Sequence, residues 1–218
     1  MPTTIPTPRT ARPTRFRPAT ILLILVLALA ASACRPSYTG PMGPRVAVVG
    51  DSITNSSTAK LDTELASKYR FLSGIDGIDL AQGRTQLVKP VTDTAPSVLV
   101  LELGINSARE SWDSSDLPDL EAVLGAVKST PCVIWVTPTA LQPSYYDHLG
   151  KGTLASRIAL FQASLAKRLP KYPNIHQADF GALQLQHPEW FVADRLHLTS
   201  DGQAAYATFV ADQIANHC

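Results

Sequence analysis

Apolar residues along this chain fall into two alternating kinds of segment. Arg45–Gly50 (RVAVVG) is a continuous apolar run closed by glycine, the pattern of a strand buried on both faces of a parallel sheet. Ser97–Gly104 (SVLVLELG) and Cys132–Thr137 (CVIWVT, closed by Pro138) repeat it, and weaker runs lie near Phe71–Asp76 and Asn174–Phe180. Between the runs, hydrophobic positions recur at helical spacing. They predict helices over Thr58–Tyr69 (Leu61, Leu65, Tyr69), Leu117–Lys128, Ser156–Leu169 (Ile158, Leu165, Leu169) and Asp201–Asn216. Five strands interleaved with helices predict an α/β fold, a three-layer α/β/α sandwich around a parallel sheet. In such folds chemistry gathers at the carboxyl ends of the strands.

The first residues break this pattern. An opening rich in Arg and Pro leads into Ile21–Ala31 (ILLILVLALAA) and then Ala31-Ser32-Ala33-Cys34. A positive stretch, a short apolar stretch and an A-x-A end predict a secretory signal peptide over residues 1–33. An uncleaved anchor is the alternative, although the run is shorter than the roughly 20 residues of a comfortable span. Small residues ahead of Cys34 resemble a bacterial lipobox, so Cys34 is a candidate for lipidation, against plain secretion with a free thiol. Residues 34–44, with Arg35–Pro44 rich in Pro and Gly, then read as a tether to a domain over 45–218. The expected location is outside the cytoplasmic membrane, lipid-anchored on its outer face, or alternatively released or periplasmic.

Removing the signal changes the charge. The whole chain carries a net +1, but residues 1–33 hold Arg9, Arg12, Arg15, Arg17 and no acid, which leaves 15 basic against 18 acidic residues. A mildly acidic domain gives no reason to expect a nucleic-acid partner. With 45% hydrophobic and 17% charged residues, the chain suits one globular domain, expected as a monomer. If Cys34 takes a lipid, Cys132 and Cys218 remain as an even pair outside the cytoplasm. Cys132 starts a strand and Cys218 ends the last helix, and in an α/β layer these ends share a side. A Cys132–Cys218 disulfide is therefore expected, two free thiols being the alternative.

Three short blocks carry candidate chemistry. Gly50-Asp51-Ser52-Ile53 lies where a buried strand gives way to a helix, so the Ser52 hydroxyl is exposed above the sheet and its N–H meets the positive end of that helix. Alone, Gly-Asp-Ser recurs by chance in roughly one chain in twenty of this length, and it also reads as a turn with a helix cap. Asp194-Arg195-Leu196-His197 supplies an imidazole to take the serine proton and a carboxylate to hold its tautomer. The competing reading, capping of the last helix, suits Thr199 and Asp201 better. Leu103-Gly104-Ile105-Asn106 follows another buried strand, where Asn106 can aim a side-chain N–H at an oxyanion, or simply form a turn.

In this order and spacing the blocks resemble the SGNH/GDSL hydrolase family over nearly all of residues 45–216. The Gly-Asp-Ser block matches at Ser52. The Gly-x-Asn-Asp block matches at Gly104 and Asn106 but has Ser107 in place of its last Asp. The Asp-x-x-His block matches at Asp194 and His197, with Trp190-Phe191 ahead of it. In Asp79-Leu80-Ala81-Gln82-Gly83-Arg84 the family's glycine is assigned to Gly83, with Gly77 as rival. The resemblance implies a flavodoxin-like five-stranded sheet and a carboxylic ester hydrolase. Ser52 would be the nucleophile, His197 the general base and then acid, and Asp194 its orienter. The oxyanion hole would come from the N–H groups of Ser52 and Gly83 and the side chain of Asn106. No cofactor or metal is implied.

Trp112, Tyr145, Tyr146 and Arg84 follow strand ends and are candidates for the substrate rim, Arg109 being a weaker one. His148, His176, His187 and His217 lack metal-ligand spacing, and Trp135 reads as core. The expected substrate is an acylated small molecule, glycan or lipid. An acyltransferase with the same triad and a non-catalytic carbohydrate-binding lipoprotein are the competing functions.

Overall fold

All five apolar runs become strands of one sheet. The computed structural model describes residues 45–137 and 153–218. The strands are β1 (Arg45–Gly50), β2 (Tyr69–Gly74), β3 (Val98–Glu102), β4 (Cys132–Thr137) and β5 (Ile175–Asp179). They are all parallel, in the order β2-β1-β3-β4-β5. Gly50 pairs with both Gly74 and Glu102, so the first three strands end level at one edge.

Alternation along the strands divides the core. Val46 and Val48 of β1, with Val98, Val100, Ile134 and Val136, face one layer of helices. That layer is α1 (Ser52–Glu64), through Ile53 and Leu61, and α8 (Ser200–His217), through Tyr206, Val210 and Ile214. Ala47 and Val49, with Leu99, Leu101, Val133 and Trp135, face the other. There they meet the helical stretch Leu80–Thr92, α5 (Leu117–Val127) and α6 (Leu154–Ala166). This is the expected three-layer α/β/α sandwich, with the flavodoxin-like strand order.

Helix boundaries depart from the hydrophobic pattern in two instructive places. The helix expected from Thr58 begins at Ser52 and stops at Glu64, and Tyr69 belongs to β2. Its start is set by Asp51, whose carboxylate accepts the Ile53 N–H at 3.0 Å. Its first buried positions include Thr54 and Ser57, which hydropathy does not mark as core. The second departure is Leu80–Thr92, which consists of α2 (Leu80–Gly83), a π-helical turn (Arg84–Val88) and α3 (Lys89–Thr92). Pro90 has no N–H and its ring crowds the carbonyl four residues back. The widened turn, with Lys89 N–H donating to the Arg84 carbonyl, absorbs that misfit.

Two shorter helices, α4 (Ile105–Glu110) and α7 (Phe180–Gln184), follow β3 and β5 directly. At the opposite edge of the sheet, Cys132 at the start of β4 is disulfide-bonded to Cys218 at the end of α8, with Cα atoms 5.8 Å apart.

Candidate active site

Ser52 is the first residue of α1, directly above the carboxyl end of β1. A first-turn N–H has no acceptor within its own helix, so the Ser52 amide remains available where its hydroxyl emerges. The segment before α8 brings the other two groups to it. Phe191 and Leu198 form an isolated antiparallel bridge, Val192 N–H donates to the His197 carbonyl at 3.0 Å, and Thr199 N–H donates to the Trp190 carbonyl at 2.8 Å. Arg195 takes a left-handed backbone, φ 56°, at the tip of this loop.

The loop closes on Asp194. Its Oδ1 accepts the N–H groups of Leu196 (2.9 Å) and His197 (3.0 Å), while Oδ2 lies 2.7 Å from His197 Nδ1. His197 Nε2 lies 3.0 Å from Ser52 Oγ. Ser52, His197 and Asp194 are thus joined in a hydrogen-bonded line, although Ser52 and His197 are 145 residues apart in sequence. Partial burial pushes the Asp194 carboxyl up, but hydrogen bonds from the His197 ring and the two backbone amides outweigh it and hold the carboxyl below its ordinary value. An anionic Asp194 suits a proton on Nδ1, an arrangement in which Nε2 can accept from the Ser52 hydroxyl.

Asn106 sits on α4 just past β3, 4% exposed. Gly104, which caps α4 at φ 126°, must be glycine, since a Cβ there would lie 2.4 Å from the Phe161 ring. The Asn106 amide donates to Asp51 Oδ2 at 3.2 Å and to the Ile78 carbonyl at 3.1 Å. Ser107, which replaces the last Asp of the sequence block, accepts the Leu80 N–H through its hydroxyl at 3.0 Å. A short polar acceptor therefore still ties the Asn106 turn to α2.

Gly83 does not fit the oxyanion role assigned to it. Its N–H donates within the helical turn to the Asp79 carbonyl at 2.8 Å, and it packs on Leu103. Gly77 is exposed, in a turn at φ 72°. A glycine packed against α1 is Gly74, at the end of β2, where a Cβ would lie 2.3 Å from the Asn55 N. Hydropathy reads Gly74 only as the interior of a weak strand. Its level pairing with Gly50 is what places it at the carboxyl edge of the sheet, against α1.

Trp112 is likewise not on a rim. It is 5% exposed, edge-to-face with Phe161 at 4.9 Å, and its indole N–H donates to Ser164 Oγ at 3.3 Å. The turn after β3 folds it back into the core. Arg84 is exposed at the start of the π-helical turn, and Arg109 lies on α4, past the end of β3. Tyr145, Tyr146, His148 and Cys34 lie outside the described residues. Next to Asp194, an open pocket of about 400 Å³ is lined by Pro188, Phe191, Val192, Ala193 and Arg195. Among the described residues, no three His, Cys, Asp or Glu side chains are grouped to hold a metal ion, and no helix is long and apolar enough to cross a membrane.

No protein-family profile matches the chain, and neither does any curated protein sequence. Solved structures do match in fold. A member of the lipolytic protein G-D-S-L family from Veillonella parvula superposes with a TM-score of 0.62 at 18% identity, over 77% of this chain and 96% of that one. An acetyl xylan esterase, AlAXEase, gives 0.63 at 20% identity over 78% and 99%. The catalytic domain of Streptococcus pneumoniae peptidoglycan O-acetyltransferase A gives 0.61 at 18% identity over 80% and 92%. The chain has the SGNH hydrolase fold.

Proposed function

We propose that this protein is a serine carboxylic ester hydrolase that works outside the cytoplasmic membrane through an acyl-enzyme intermediate. The observation that carries the reading is the line of 3.0 Å and 2.7 Å contacts from Ser52 Oγ through His197 to Asp194. In acylation His197 Nε2 takes the hydroxyl proton as Ser52 Oγ attacks the ester carbonyl carbon. The oxyanion collapses, the alcohol leaves with the proton from His197, and the acyl group remains on Ser52. Water then repeats the sequence, releasing the acid and restoring the serine. The Ser52 N–H and the Asn106 side chain are the first two oxyanion donors. With the Gly83 N–H given to Asp79, the rival Gly77 is the candidate third, and Gly74, against α1, is a further one. Asn106 serves by sharing with the oxyanion an N–H now given to Asp51 or Ile78, and one such donor is typically worth about 3 kcal/mol of barrier.

The likeness to an acetyl xylan esterase and to a peptidoglycan O-acetyltransferase domain favours short acyl groups on a glycan. It also keeps acyl transfer to a sugar hydroxyl as a second reading. The apolar export segment ending at Cys34 supports a lipid-anchored location, and the Cys132–Cys218 bridge supports an oxidising compartment. The test is hydrolysis of p-nitrophenyl acetate, butyrate and longer esters by the full chain, with fluorophosphonate labelling. Wild type should turn over acetate fastest and label at Ser52, and Ser52→Ala should lose activity by about 10⁵-fold or more. No turnover of any ester together with no labelling of Ser52 refutes the enzyme reading. Transfer to an added glycan in preference to water would select the second one.

A further inference from the structure

Beneath Ser52 lies a buried acid pair that none of these steps uses. Asp51 and Glu102 are 0% and 2% exposed, and each carboxyl group lies within the electrostatic reach of the other. The pairing of β1 with β3 brings them together: the Asp51 N–H donates to the Glu102 carbonyl at 3.1 Å and lies 3.3 Å from Oε2. The Thr54 hydroxyl is 3.4 Å from the same Oε2 and 3.2 Å from the Tyr206 hydroxyl, which reaches in from α8. Glu102 Oε1 is buried with no donor facing it. Asp51, by contrast, has a donor on each oxygen: Oδ1 accepts the Ile53 N–H at 3.0 Å and Oδ2 accepts the Asn106 amide at 3.2 Å.

Two carboxyl groups in contact away from water cannot both be ionised, and one proton between them removes the conflict. Placed on Oε1, that proton also removes an orphaned buried acceptor. The surroundings say which partner keeps it. Burial first, then the Asp51 charge, push Glu102 well above the usual carboxylate range. Burial raises Asp51 to about 6 while His197 and Arg109 favour its ionised form. Tyr206, the titratable group facing from α8, is itself raised by burial and by Glu102, and so stays neutral.

We propose that Glu102 is a positioning residue for acyl transfer: its carboxyl shares one proton with Asp51, and Asp51, so fixed, holds the start of α1 and the Asn106 side chain in register as the oxyanion site. This role rests on the ester-hydrolase reading. Glu102 touches no reacting atom and acts only through Asp51.

The full chain and its Glu102→Leu and Glu102→Gln variants test the role. Leucine fills the space without a polar group, and burying an apolar residue in place of an acid need not destabilise the fold. The Leu variant should lose kcat by roughly 10- to 100-fold, less than deletion of a direct oxyanion donor, with KM within a few-fold and no fall in Tm. Glutamine, a neutral donor, should recover most of that kcat. An infrared spectrum of protein carrying ¹³C-labelled glutamate should show a protonated carboxyl band at pH 8 that is missing from Glu102→Gln. Undiminished kcat in the Leu variant, a loss that glutamine does not recover, or no protonated band at pH 8 overturns the proposal. Should the Leu variant not fold, the Gln variant and the spectrum still decide it. Wild type that turns over no ester overturns the hydrolase reading and this role together, whereas wild-type turnover with an equally active Leu variant overturns this role alone.

Discussion

Breaking the Cys132–Cys218 bridge gives a perturbation whose size follows from the fold. The bond closes a loop of 86 residues, and for that length the chain-entropy relation gives about 4.6 kcal/mol of stabilisation at 25 °C. Most of it comes from restricting the unfolded chain. The double variant Cys132→Ala, Cys218→Ala should therefore lose about 4–5 kcal/mol. For a domain of this size that lowers Tm by roughly 9–18 °C, at about 2–4 °C per kcal/mol. Urea titration should show a rise in the m-value as well, because the unlinked chain exposes more surface when it unfolds. Intact mass before and after reduction should differ by two hydrogens in wild type and not in the variant. Cys132 begins β4 and Ser52 follows the other end of parallel β1, so ester turnover at a temperature well below Tm should be unchanged. A loss below about 1 kcal/mol refutes the loop-closure reasoning, and a large loss of turnover in the still-folded variant refutes the placement of the bond away from the site.

Two further expectations concern the site's foundations. Gly104→Ala should cost about 1–3 kcal/mol for its positive φ alone and more through the 2.4 Å approach to Phe161. It should lower both Tm and kcat by tilting α4 and Asn106; an unchanged Tm in thermal denaturation would refute the packing argument. For Asp51, an acid whose folded value is raised to about 6, the folded state binds more protons than the unfolded one between about pH 4 and 6. Stability therefore falls as pH rises through that window, by about 3 kcal/mol once Asp51 is fully ionised. Urea unfolding of wild type and Glu102→Gln across pH 4 to 8 reads this directly. The variant should gain on wild type as pH rises, and a constant difference would count against the acid pair.

The five strands were legible because a strand covered on both faces leaves no room for polar residues, so its signal is a local run of sequence. The meeting of Ser52, His197 and Asp194 was legible for a similar reason. Gly-Asp-Ser stands where such a run ends, and Asp194 and His197 are near enough in sequence for one loop to join them. The start of α1 was not, because Thr54 and Ser57 fill core positions with polar side chains whose partners lie on other elements. Nor was the inward turn of Trp112, which depends on Phe161 and Ser164 of a distant helix. The Gly83 assignment failed because a glycine's availability depends on where its N–H is spent, and spacing does not record that. The acid pair shows the same division. Asp51 and Glu102 are unremarkable 51 residues apart. Only the order β2-β1-β3, which sets the first and third strands side by side with their ends level, buries the two carboxyl groups against each other beneath Ser52. Sequence determined which residue types stand at strand ends. Tertiary register decided which of those ends meet, because contacts between strands are fixed by packing across the sheet and not by distance along the chain.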